Sequence, residues 1–171
     1  MGFSEWFHHH LQASADGFVW GVEQVPTERR YRQPPTGLGE WTVARHIFHM
    51  VYYEQRDVLP VMQQWLGAPE VVPEWGNEEV AWQASCTEPI EHLLSQFRAV
   101  RREQLALLPR FVERTWHEQQ ESGWGPVTLL WVVSKTYQHT AEHTNDVLRI
   151  ALFWDRFITR EQEGVVGNLE T

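Results

Sequence analysis

The chain has 171 residues, 42% of them apolar and 22% charged, with 10 Trp, 9 His, one Cys and a formal net charge of -9. That length suits one domain with its own core, and the acidic balance disfavours general binding to nucleic acid or to an anionic membrane. The single Cys86 excludes an internal disulfide and a cysteine-based metal knuckle, so a metal would have to be held by His and carboxylate.

No basic region followed by an apolar run opens the chain. No uncharged apolar stretch nears the roughly 20 residues that span a bilayer, so the expectation is a cytoplasmic protein. Apolar residues recur at spacings of three and four over most of the length, while period-two alternation is nearly absent. This predicts an all-α fold. A first helix runs from about Ser4 to Glu23, with Phe7, Leu11, Phe18, Val22 and Val25 as its stripe and Pro26 as its stop. Pro34-Pro35 and Gly37-Leu38-Gly39 then mark a loop. Thr42 is the expected N-cap of a second helix reaching about Trp65 through Val43, Ile47, Met50, Val51, Leu59 and Met62. Pro60 should kink that helix or end it early. Arg45 stands where a capping box would place Glu or Gln.

From Gly67 to Pro89 the chain is mostly connection, with a short helical piece over Glu78 to Ala84. A link of that length frees the helices it joins from being antiparallel neighbours. A third helix spans about Glu88 to Leu108, with Pro89 in its first turn and Leu93, Leu94, Phe97, Val100, Leu105 and Leu108 facing inward. Pro126 opens the fourth, which reaches about Phe157 and carries Leu130, Ser134, Tyr137, Ala141, Leu148 and Leu152 on one face. Its other, histidine-bearing face has apolar and small neighbours, so this helix reads as buried on two sides. Residues 159–171 are expected to fray. Four long helices in one domain, residues 1–158, predict a four-helix bundle with a long connection between the second and third helices.

On the fourth helix His139 and His143 stand four residues apart, one turn above each other at about 100° per residue. They share a face with Val132, Thr136, Asp146 and Ile150, and two imidazoles so placed can bind one divalent ion without distorting the helix. On the second helix His46 and His49 are three apart and share a face with Tyr53, and one of the two should point into the bundle. His8-His9-His10 reads as a surface run, and His92 and His117 as isolated surface or loop residues.

Gly39-Glu40-Trp41-Thr42, then His49-Met50 and Glu54, resemble the G-x-W-S/T, H-L and E signature of DinB/YfiT-like proteins. The run His139-Thr140-Ala141-Glu142-His143-Thr144-Asn145-Asp146 is similar to the last-helix motif of that family, H-x-x-x-H-x-G-Q, and the likeness extends over about Leu11 to Phe157. The resemblance implies a four-helix bundle in which His49, His139 and His143 hold a divalent metal, zinc or nickel, with water completing the shell. His46 is the reserve ligand. It also implies action on a small molecule, either as a transferase of low-molecular-weight thiols or as a hydrolase. Two positions depart from the pattern: Asn145-Asp146 replaces Gly-Gln, and Arg45 replaces a frequent acid.

Three neutral His and an open position form a catalytic rather than a closed structural arrangement. A bound ion lowers the pKa of a coordinated water toward about 7 or deprotonates a coordinated thiol, which gives hydrolysis or thiol transfer. Tyr53, one turn from His49, can donate to an oxyanion. Glu54 lies about 140° around the helix from His49 and reads equally as a base or a surface acid. Asp146 can ligate, accept a hydrogen bond from a ligand, or sit on the surface, and Glu142 lies between the His face and solvent. The expected partners are a small molecule and a second copy of the chain, with no nucleic acid and no membrane. The rival reading is a non-catalytic interaction bundle whose metal site is structural or vacant. Most Trp should be core or interface anchors, with Trp75, Trp82 and Trp124 the candidates to line a pocket.

Overall fold

The computed structural model describes residues 2–69 and 77–167, with side chains as far as residue 159, so Trp75 lies outside the described residues. Helix α1 (Phe3–Gln24) buries its whole expected stripe, and the N–H of Val25 closes onto Val22 O at 3.1 Å just before Pro26. Helix α2 (Val43–Tyr53) starts where expected, because Thr42 Oγ1 accepts the N–H of Arg45 at 3.1 Å. Pro60 does not break the segment. A wide turn over Glu54–Val58 precedes α3 (Leu59–Gln64), and in it the N–H of Leu59 reaches back five residues to Glu54 O. In a regular helix the proline ring would strike the carbonyl of Arg56, and the wide turn opens the space it needs.

The crossing segment carries α4 (Glu78–Ser85), close to its expected place, and α5 (Ile90–Leu107) follows with Pro89 as its N-cap rather than within its first turn. Helix α6 (Leu129–Gly167) begins later than Pro126, because Val127–Thr128 form a strand, β2, paired antiparallel with β1 (Gln119–Gln120). Thr128 Oγ1 then caps α6 by accepting the N–H of Trp131 at 3.1 Å. The helix also runs well past the expected end at Phe157, through Thr159 to Glu163, a stretch of helix-tolerant residues without proline. Among the described residues no helix is long and apolar enough to cross a membrane.

The bundle has two apolar cores. One gathers Phe18, Val22, Ile47, Met50, Leu93, Phe97, Val147 and Ile150, and the other gathers Leu11, Val58, Met62, Leu105, Leu108, Trp116, Leu129 and Val132. Helices α1 and α6 pass from the second core to the first, whereas α2–α3 and α5 pass from the first to the second. Thus α2 and α5, joined by the crossing segment, run in the same direction, as only a long link permits. On α6 the inward residues are Val132, Thr136, Thr140, Val147 and Ile150, while Tyr137 and Leu152 on the opposite face are 36% and 72% exposed. That face was expected to be buried. It is buried only in part: Leu130 and Leu148 are half-buried, Leu148 lying against Gly21 of α1 and Tyr137 beside Trp6 and His10, while Leu152 faces outward.

Between the two cores lies a polar layer in which Arg101 (1% exposed) and Glu54 (0%) form a bidentate ion pair. Arg101 Nη1 also donates to Leu11 O at 2.7 Å and Ser14 Oγ at 3.2 Å, and Nη2 donates to Thr140 Oγ1 at 2.9 Å. One guanidinium therefore ties all four long helical stretches together, with each of its three nitrogens donating. Burial raises the Glu54 carboxyl against the pull of Arg101. Removing one partner of such a pair strands a buried charge, which costs about 3–5 kcal/mol. Arg101→Met should therefore lower unfolding free energy by about that amount, and Arg101→Met with Glu54→Leu by distinctly less. Urea unfolding of the two variants checks this, and equal losses would contradict it.

Candidate metal centre

His49 on α2 and His139 and His143 on α6 meet at one end of the polar layer. His49 Nε2 lies 3.0 Å from His139 Nε2, and His139 Nε2 lies 3.2 Å from His143 Nε2. These spacings are close to the roughly 3.3 Å that separates nitrogens bound at about 2.0–2.1 Å around a tetrahedral ion. The three residues form a group that could hold a metal ion, each offering one ring nitrogen. The placement follows from helix geometry, since residues four apart on α6 stack on one face, and α2 crosses there in the opposite direction.

The far nitrogens of the three rings meet different partners. His49 Nδ1 donates to Glu78 Oε1 at 2.9 Å, because an ionised carboxylate can only accept. In the neutral ring this tautomer leaves Nε2 as the lone-pair nitrogen, and it faces the other two histidines. His143 Nδ1 lies 2.8 Å from Nδ1 of the buried His46, and His139 Nδ1 is buried without a hydrogen-bond partner among the described residues. The Nε2 proton of His139 could serve only one of its two Nε2 neighbours, so the convergence is short of donors. Burial first, and then the neighbouring imidazoles, push His46 to about 4, His139 to about 3 and His143 to about 2. Protonation of His139 or His143 therefore does not fill the deficit near neutral pH. A cation is a complement that three converging imidazole nitrogens fit.

Aromatic rings wall the cluster. Trp41 lies parallel to the His143 ring with centroids 5.9 Å apart and is 4.9 Å from His49, while Tyr53 sits 4.2 Å from His139 and 6.0 Å from Trp124. Burial raises the Tyr53 hydroxyl, with Asp57 and Glu54 adding to the shift, so it keeps its proton. Of the expected pocket residues, Trp124 reaches this wall. Trp82 instead lines a separate recess of about 300 Å³ with Trp41, Arg45 and Glu79.

Glu54 is directed into the polar layer, bonded to Arg101, so it is neither a surface acid nor turned to the histidine nitrogens. Asp146 is half exposed, lies 3.9 Å from Arg149, and groups with His46 and His143 rather than with all three central histidines. That second group shares His143, whose neutral ring has one lone pair, so the two groups cannot both hold ions through it. Glu142 is an exposed partner of Gln138, and His92 pairs with Glu88 on the surface.

Arg101 and Glu78 escaped the sequence reading, and Glu54 reads there as a base or a surface acid rather than as a partner of Arg101. Arg101 stands four after Phe97 and four before Leu105 on an otherwise apolar face, a spacing that marks an inward charge. Glu54 likewise falls between Met50 and Val58. Glu78 gave no comparable sign, because its contact with His49 spans 29 residues. Arg45 is buried rather than solvated, its guanidinium 5.1 Å from Trp41 and 5.2 Å from Trp82.

The fold and the site together define an all-α bundle with a histidine cluster suited to one divalent ion. The family model described as the DinB superfamily matches residues 10–147, and the chain belongs to that superfamily. No curated protein matches it.

The neutral His46, His139 and His143 give the metal-free protein a pH signature. In the unfolded chain each takes a proton near pH 6.5, whereas the fold refuses it until far lower pH. The unfolded state then binds more protons, so stability is full above about pH 6.5 and falls as pH drops toward the folded values. Asp57, raised to about 6 by burial and then Glu78, works in the opposite sense over part of that range. Metal-free His139→Gln should therefore lose less stability between pH 7 and 5 than the metal-free parent, by up to about one proton in the pH slope. Chemical denaturation at each pH measures this, and identical slopes would contradict it.

Proposed function

We propose that the three-histidine cluster binds one divalent ion, zinc or nickel, and that the protein is a metal-dependent enzyme acting on a small molecule. The convergence of His49, His139 and His143 through Nε2 carries this reading. An all-imidazole donor set suits both ions, and three protein nitrogens leave a tetrahedral position open. When bound, such an ion supplies Lewis acidity sufficient to make a nucleophile of a water or a thiol near neutral pH.

The chain's own groups do the rest. Glu78 holds the His49 ring in the tautomer that turns Nε2 inward, and His46 contacts the far nitrogen of His143. Tyr53 retains its proton beside His139 and is a donor for a developing oxyanion. Trp41, Tyr53 and Trp124 supply apolar faces that keep water from a substrate's carbon skeleton. Thiol transfer is the first reading, because a thiolate attacks without a general base. The three carboxylates weighed as bases are placed elsewhere: Glu54 is bonded to Arg101, Glu142 is exposed beside Gln138, and Asp146 groups with His46. Hydrolysis is the second.

Protein purified without added metal should carry about one ion per chain, measured by elemental analysis, as expected of one four-coordinate site. His49→Ala, His139→Ala and His143→Ala should each lose it, while His8→Ala, in the exposed histidine run, should keep it. Full occupancy in His143→Ala would overturn the site. Activity with a small thiol and an electrophilic aryl halide, absent from His49→Ala, supports transfer. Release of nitrophenol from an ester with no thiol turnover would favour hydrolysis.

A further inference from the structure

Among the described residues of the crossing segment between α3 and α5, the first residue of α4 reaches the histidine cluster. Glu78 Oε1 accepts from His49 Nδ1 at 2.9 Å and also lies 3.2 Å from Arg45 Nη2. Arg45 is itself fixed. Its guanidinium lies 5.1 Å from the Trp41 ring, 5.6 Å from Phe48 and 5.2 Å from Trp82, and Nη2 meets Glu79 at 3.2 Å as well. Trp82 is on α4 and packs 5.4 Å from Phe48, so the short helix is docked by one aromatic contact, the cation–π contact of Arg45 with Trp82, and the two ion pairs of Arg45. Only one of those pairs touches a histidine.

We infer that Glu78 is a positioning residue of the metal centre: from α4 it orients His49 and raises the basicity of its inward nitrogen, while Arg45 holds the carboxylate in place. This rests on the reading of the three histidines as metal ligands. A carboxylate on the far nitrogen of a ligating imidazole fixes both tautomer and ring plane, and loss of such a partner weakens metal binding about 10- to 100-fold. The coupling is mutual. An ion drawing electrons from His49 makes its Nδ1–H a stronger donor, so ion binding tightens the grip of α2 on α4. The histidine pattern on α2 and α6 is thus incomplete without a residue of the crossover. Glu79 provides the internal control, because it shares Arg45 but contacts no histidine.

The test compares full-length wild type, Glu78→Ala, Glu78→Gln and Glu79→Ala. It reads zinc affinity by chelator competition and backbone amide exchange of residues 78–85 with and without zinc. Glu78→Ala should bind zinc about 10- to 100-fold more weakly, and Glu78→Gln, which keeps an acceptor but no charge, by less. Glu79→Ala should stay within about threefold of wild type, the change expected of an exposed ion pair. Zinc should slow exchange in α4 of wild type and Glu79→Ala but not of Glu78→Ala. Wild-type affinity in Glu78→Ala, or an equal loss in Glu79→Ala, would overturn the assignment while leaving the histidine site standing. If wild type and all variants fail to bind zinc, the metal-centre reading itself falls, and this inference with it.

Discussion

Everything near the histidines depends on one buried cation. Arg101 crosses from α5 to Glu54, to the backbone of α1 at Leu11 and to Thr140 of α6. Glu54 follows His49 by five residues and Thr140 follows His139 by one, so the ion pair and its hydrogen bonds set the depth and rotation of the two helices that bear the three histidines. Apolar packing alone would leave such helices free to slide by small amounts, since many hydrophobic registers are close in energy. A charged group with several fixed acceptors does not tolerate that slippage, because any shift leaves a buried polar atom unpaired. The cost is a layer in the middle of the bundle that contributes little apolar burial, and the two cores on either side make up for it.

The cluster above that layer is built on the opposite principle. Its nitrogens are brought together with too few protons to satisfy them, beside aromatic rings, and burial keeps His139 and His143 neutral. This crowding of imidazoles works against stability, since their unpaired nitrogens are left without donors. That fits a general pattern in which local conflicts with good packing mark functional sites.

Much of this was legible in the sequence, and the limits have physical causes. Residues such as Phe18, Ile47, Phe97 and Ile150 announce four helices, because burial of one face imposes a three-and-four spacing. The pairing of His139 with His143 follows from the same periodicity, whereas the choice of His49 over His46 leaned on family resemblance. His46 does point toward the cluster, but behind His143. The wide turn at Glu54–Val58 was invisible apart from Pro60, since backbone hydrogen-bond register leaves little trace in residue type. Pro126 misled because a proline suits a strand's entrance as well as a helix's. Contacts between distant charges, Glu78 with His49 and Arg45 with Glu79, depend on how the crossover drapes, and composition says nothing about that. A charged residue on an apolar stripe was the most readable of the missed signals, and Arg101 and Glu54 both carried it.

The ligands' separation along the chain has a consequence for how the protein matures. His49 and His139 are 90 residues apart, and α6, which brings the second and third nitrogens, leaves the ribosome after α1 to α5. A nascent chain that has made α1 to α5 holds only one of the three nitrogens, so it has no chelate effect to exploit. On the proposed reading an ion would therefore meet a competent site only after α6 has docked, and its capture would act as a seal on the folded bundle rather than as a scaffold for a partly made one.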